Sequence, residues 1–92
     1  MIIGNVIGNV WATRKDEKLN GLKFLVVKPL NYNGNKEAPV FVAVDSVGAG
    51  IGETVLVVKG SSARVTLSDE AMPVDATIVG IIDTVDIDES VI

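Results

Sequence analysis

Residues 45–55 read DSVGAGIGETV, with Gly48, Gly50 and Gly52 at alternate positions between the apolar runs VFVAV (40–44) and VLVV (55–58). A glycine-rich turn behind a strand has three ordinary uses: it cradles a phosphate, it holds a dinucleotide, or it lets backbone approach backbone where a side chain would collide. The dinucleotide fingerprint needs G-x-G-x-x-G and a helix whose N-terminus faces the pyrophosphate. Here the spacing is G-x-G-x-G and the next element is the β-branched run TVLVV, and no G-K-[ST] ending marks a phosphate loop. The stretch therefore reads as a structural turn joining two strands.

Outward from that turn the periodicity is mostly two-fold. VFVAV (40–44) and TVLVVKG (54–60) are nearly continuous in apolar residues, which predicts strands covered on both faces. Upstream, NVIGNVWATR (5–14) starts as a strand, and Gly4 just before it and Gly8 within it are spaced to seed bulges or close strand crossings. KDEKLNG (15–21) is a polar connection with room for one helical turn stopped at Gly21. LKFLVVKPL (22–30) is the second strand, ended by Pro29, and NYNGNKEAP (31–39) is turn chemistry that predicts a surface hairpin loop.

Downstream, GSSARVTL (60–67) predicts a short helix with Ser61 or Ser62 as N-cap, and DATIVGIIDTV (75–85) the fifth strand. The ending TVDIDESVI alternates Val85 and Ile87 with Asp86 and Asp88, a strand pattern with one apolar face and little chain left to cover it. Five or six short strands and one small helix predict a single all-β domain over 1–92, a compact antiparallel barrel, because closure is how so small a sheet removes its edges.

Composition narrows the chemistry. The chain is 48% apolar with four aromatics, Trp11, Phe24, Tyr32 and Phe41, so its core is expected to be aliphatic. Cysteine and histidine are both absent, which removes disulfides, thiolate nucleophiles, imidazole bases and most transition-metal sites. No enzyme, cofactor or metal site is expected. The net charge is −4: eight basic residues lie between Arg14 and Arg64, and five of the twelve acids (Asp75, Asp83, Asp86, Asp88, Glu89) fall in the last eighteen positions. A nucleic-acid binder shows a basic face instead. MIIGNVIGNVW makes a poor signal peptide, and no apolar run reaches the roughly 18–20 residues of a membrane span, so a soluble cytoplasmic protein is expected.

Two carboxylates flank the glycine turn. Asp45 and Glu53 are readable as an acid/base pair or a hard-cation site, or as acceptors for loop amides or partners of Arg64. The second reading is favoured, since nothing else in the sequence supports a catalytic constellation. The acids at 83, 86, 88 and 89 lack an EF-hand frame and read as a solvated face.

The segments GNVWATRK, LKFLVVKPL, VAVDSVGAGIGETVLVVKGSSAR and PVDATIVGIID, in this order over residues 1 to about 85, closely resemble the EutN/CcmL family of pentameric vertex proteins of bacterial microcompartment shells. The block from Asp45 to Arg64 is the most specific part of the likeness. The resemblance implies a barrel like the oligonucleotide-binding fold, placed over 1–83, and the one-sided apolar alternation of Val85 and Ile87 marks 84–92 as an assembly tail. It further implies a homopentamer that caps shell vertices among hexameric shell proteins, with no catalysis and with no nucleic-acid or membrane partner.

On that reading Asp45, Gly48, Ala49, Gly50, Gly52, Glu53, Arg64, Val85 and Ile87 lie at a subunit interface or the five-fold axis, with the three glycines supplying positive φ or near contact. Two other classes stay open at this point: a nucleic-acid-binding barrel, which needs a basic aromatic face, and a small nucleotide-binding protein using GAGIG or a metal-dependent enzyme, which needs catalytic groups that the sequence lacks. The cargo of the compartment is not written in a structural tile.

Overall fold

The computed structural model describes residues 1–12, 17–30, 38–67 and 74–91. Five strands, β1 (Ile2–Val10), β2 (Lys23–Pro29), β3 (Phe41–Asp45), β4 (Thr54–Lys59) and β5 (Ala76–Ile82), close into a barrel in the order β1-β2-β3-β5-β4. One helix, α1 (Ser61–Thr66), connects β4 to β5, and single 3-10 turns lie at Glu17–Leu19 and Glu89–Val91. The order is that of a small oligonucleotide-binding-type barrel. Residues 31–37 of the expected hairpin loop (31–39) and residues 15 and 16 of the polar connection (15–21) lie outside the described residues.

Side-chain alternation sorts the strands into an inner and an outer surface. Val6, Leu25, Val27, Ala43, Val55, Val57, Ala76 and Ile78 fill the interior, an aliphatic core as expected. Fully burying each of the larger ones contributes roughly 1.5–3 kcal/mol before chain entropy is set against it. A second cluster lies outside the barrel, where Ala63 of α1 packs with Val44, Val58 and Val74. The expectation that β3 and β4 are covered on both faces therefore holds only where the helix sits: Val44 and Val58 are buried, while Val42 is 46% exposed. The buried Thr77 hydroxyl donates to the Ala63 carbonyl at 3.0 Å and ties helix to barrel.

Both glycines of the first strand act as their spacing predicts. The β1–β2 register shifts between Val6 and Gly8, a bulge. At Gly4 a Cβ would stand 2.5 Å from Val27 Cγ1 and 2.9 Å from the Lys28 carbonyl oxygen, so β2 crosses too close for any side chain.

Four expectations need correction. The first strand runs over Ile2–Val10 rather than 5–14, since Ile2 to Asn5 pair with β4. The barrel is not wholly antiparallel: β3 and β5 run parallel, because the loop after β3 carries the chain across the barrel end to β4 beside β1, and β5 then returns antiparallel to β4 into the place between β4 and β3. Neither Ser61 nor Ser62 caps α1; Gly60 holds the N-cap position at φ 67° with no side-chain cap, and Ala63 and Thr77 anchor the helix instead. The alternating tail forms no strand: residues 84–88 are irregular, because β3 ends at Asp45 opposite Ile78 and β4 begins at Thr54 opposite Ile82, so neither neighbour extends alongside the chain beyond Ile82.

Candidate functional site: the glycine loop between β3 and β4

The loop from Asp45 to Glu53 is built around its own carboxylates. Asp45 Oδ1 accepts hydrogen bonds from the backbone N–H groups of Val47, Gly48 and Ala49, each at 3.1 Å. Glu53 Oε1 accepts from the Gly50 N–H at 2.7 Å, and the Glu53 N–H returns to the Gly50 carbonyl at 3.2 Å. Four consecutive amides, 47 to 50, are thus committed to two negative charges. A phosphate would have to displace them against repulsion, which removes the physical basis of the nucleotide reading.

Three neighbouring strands pin the loop. The Gly52 N–H donates to the Val6 carbonyl at 2.8 Å and the Val6 N–H to the Glu53 carbonyl at 2.9 Å, clamping it to β1 beside the bulge. Lys23 Nζ at the start of β2 donates to the Ala49 carbonyl at 2.8 Å. On β5, the Ile78 carbonyl accepts from the Ser46 hydroxyl at 2.6 Å. The Ala49 methyl is fully buried in the barrel interior. The loop is therefore a plug that closes one end of the barrel and carries exposed Val47 and Ile51 on its outside.

Positive φ is needed at Gly48 (83°) and Gly52 (92°). Gly50 is corrected: its φ is not positive, and a Cβ there would meet only Glu53 Oε1 at 3.5 Å, an ordinary contact. Within the chain, Gly50 needs neither a left-handed backbone nor a close approach. An L residue at either positive-φ site costs about 1–2 kcal/mol.

Six of the nine expected site residues, Asp45, Gly48, Ala49, Gly50, Gly52 and Glu53, share this loop. Ala49 is turned inward, so its side chain offers nothing to a neighbour. Arg64 sits on α1 and donates through Nη1 to the Val74 carbonyl at 3.1 Å, while Asp45 and Glu53 bond loop amides. Val85 and Ile87 lie on the segment after β5, half-buried and 39% exposed respectively. Lys23 and Ser46 were not singled out from sequence, because their partners lie 26 and 32 positions away and only the strand register brings them together. Val47, just before Gly48, and Ile51, between Gly50 and Gly52, are apolar residues in a turn and carry a readable signal for the exposed tip.

Residues 1–83 match the family model described as ethanolamine utilisation protein EutN/carboxysome. The chain is 46% identical over 86 residues to the bacterial microcompartment shell vertex protein GrpN of Rhodospirillum rubrum, covering 94% of this chain and 97% of that one. The solved structure of the pentameric microcompartment shell protein GrpN superposes with a TM-score of 0.82 over 95% of this chain and 99% of that one. The carboxysome shell vertex protein CcmL of Gloeobacter violaceus is 43% identical over 88 residues, 96% of this chain and 88% of that one. Its structure superposes with a TM-score of 0.86 over 96% and 91%.

Proposed function

The chain belongs to the EutN/CcmL family, and from that premise we propose that it is a structural subunit of a bacterial microcompartment shell, a homopentamer that occupies the shell's vertices. The observation that carries the reading is the likeness to pentameric GrpN at 46% identity over nearly the full length of both chains. The loop geometry agrees, because four of its amides are spent on Asp45 and Glu53 and its work is to hold a shape. The protein acts as a tile, without catalysis.

The mechanism follows from symmetry. A flat sheet of hexameric tiles has no curvature, and a five-fold tile in place of a six-fold one forces the sheet to bend and close. A ring of five identical subunits uses a head-to-tail interface, in which one face of each copy meets a different face of the next. The glycine loop, with Val47 and Ile51 at its exposed tip, Arg64 of α1, and the 84–92 segment with Val85 and Ile87 are the surfaces assigned to assembly. The hexameric shell proteins are its partners at the ring's rim.

Native mass spectrometry at micromolar concentration tests this directly, with a discrete pentamer as the expected species. Monomer or dimer alone would remove the reading.

A further inference from the structure

Four of the five seams of the barrel hold four or more residue pairs, whereas the β3–β5 seam holds only Val44↔Thr77 and Asp45↔Ile78. Phe41, Val42 and Ala43 pair with β2 on one side and with no described strand on the other. Such an edge is a template for an added strand. Beside it runs an apolar groove with Phe24, Val42 and Val44 on one wall and Val74, Asp75 and Ala76 on the other. By alternation Phe41 lies on the opposite face of the sheet from Val42. There Lys59, the strand partner of Ala76, stands 4.0 Å from the centre of the Phe41 ring.

The segment after β5 has the complementary character. Residues 1–82 carry eight acidic and eight basic side chains, so the four acids at 83, 86, 88 and 89 are the whole net charge of −4. Val85 and Ile87 occupy one side of the alternation and Asp86 and Asp88 the other. Among the described residues, the hydrogen bonds of 84–91 stay inside the segment, between Asp88 and Ser90 and between Val91 and Asp88.

The chain's own edge is out of reach. β3 and β5 are parallel with Asp45 beside Ile78, so Ile82 leaves the barrel beyond the Asp45 end while the free edge lies towards Phe41. Doubling back from Ile82 to Val42 covers about 23 Å at 3.3 Å per strand residue, and the chain from Ile82 to Ile87 spans at most about 18 Å.

We propose that the 84–89 segment of one copy adds as a strand along the Phe41–Ala43 edge of the next copy, Val85 and Ile87 lying against Val42 and Phe24 and the aspartates facing Lys59. This rests on the ring of five proposed above, and it names the two surfaces that join consecutive subunits.

The chain has no cysteine, so paired substitutions report the contact cleanly. Val42→Cys is combined with Ile87→Cys, or with Val85→Cys to bracket the register, and the protein is oxidised and run on a denaturing gel. Strand addition brings one of the two pairs within the 4.4–6.8 Å Cα separation of a disulfide. The expected result is a covalent ladder reaching five chains, with each single-cysteine variant giving dimer at most. Lys59→Glu is expected to lower the ladder's yield several-fold at low salt, and adding Asp86→Lys and Asp88→Lys to restore it. A native pentamer in which neither pair cross-links beyond dimer, or in which only an internal monomer disulfide forms, would overturn the strand addition and leave the ring standing. Absence of any pentamer in the unsubstituted protein would overturn both.

Discussion

Asp45 organises the glycine loop from a single oxygen. Two of its three amide partners are exposed, and water replaces the carboxylate there at little cost; the third, the N–H of the buried Ala49, is less accessible. Asp45→Ala is therefore expected to lower stability by about 1–3 kcal/mol, most of it from that one amide, with Asp45→Asn retaining part because its amide oxygen still accepts. Thermal unfolding reads the difference, since 1 kcal/mol moves the midpoint of a domain this size by about 4–8 °C. The glycines divide by the same physical test. Gly48→Ala and Gly52→Ala place a Cβ on a left-handed backbone and are each expected to cost about 1–2 kcal/mol, whereas Gly50→Ala meets an ordinary contact and is expected to leave the midpoint nearly unchanged. An equal loss at all three positions would mean that Gly50 is constrained by a neighbouring subunit, since its own chain imposes no such constraint.

At the scale of elements, the strands were legible because alternation and apolar runs are local properties, and β2, β3 and β4 lie within one residue of where those patterns place them. The parallel β3–β5 seam was not legible, because no local pattern tells which strand a returning chain will join. The tail shows the opposite failure: Val85 to Asp88 alternate as a strand does, yet a strand needs a partner alongside, and both neighbours of β5 stop at or before the level of Ile82. In the site, the roles of Asp45 and Glu53 were readable from their places flanking the glycines, while Lys23 and Ser46 depended on register. The tail does hold one local device. Asp88 accepts from the Ser90 hydroxyl at 2.6 Å and from the Ser90 N–H at 3.0 Å, and these bonds, the hydroxyl first, hold its carboxyl below the usual aspartate range. A depressed folded-state pKa means the turn's contribution is present above the ordinary aspartate pKa and is lost as pH falls through the lowered value. Ser90→Ala is expected to return the Asp88 titration towards the ordinary value, as followed by NMR of the side-chain carboxyl carbon. An unmoved titration would show that the hydroxyl does not hold the turn in solution.

The whole molecule has a modest core for its surface, as a chain of 92 residues must, and a ring interface then bears on stability as well as shape. If subunits join through the tail and the β3 edge, removal of residues 84–92 leaves every barrel strand and the glycine plug intact. The truncated chain is expected to remain a folded barrel that no longer closes a ring. The functional consequence is geometric: without a five-fold tile, a hexagonal sheet has no means of turning through a vertex, so it continues as a tube or ends at an open corner. Co-expression of the truncated chain with its cognate hexameric shell proteins, followed by electron microscopy, is therefore expected to give elongated or open particles, and the full-length chain closed polyhedra. Circular dichroism of the truncated chain separates this from simple unfolding, because a vertex defect caused by assembly leaves the β-spectrum in place. Closed polyhedra that incorporate the truncated chain would show the tail to be dispensable. Closed polyhedra formed with no vertex subunit at all would mean that curvature comes from the hexamers, and the proposed function would fall with it.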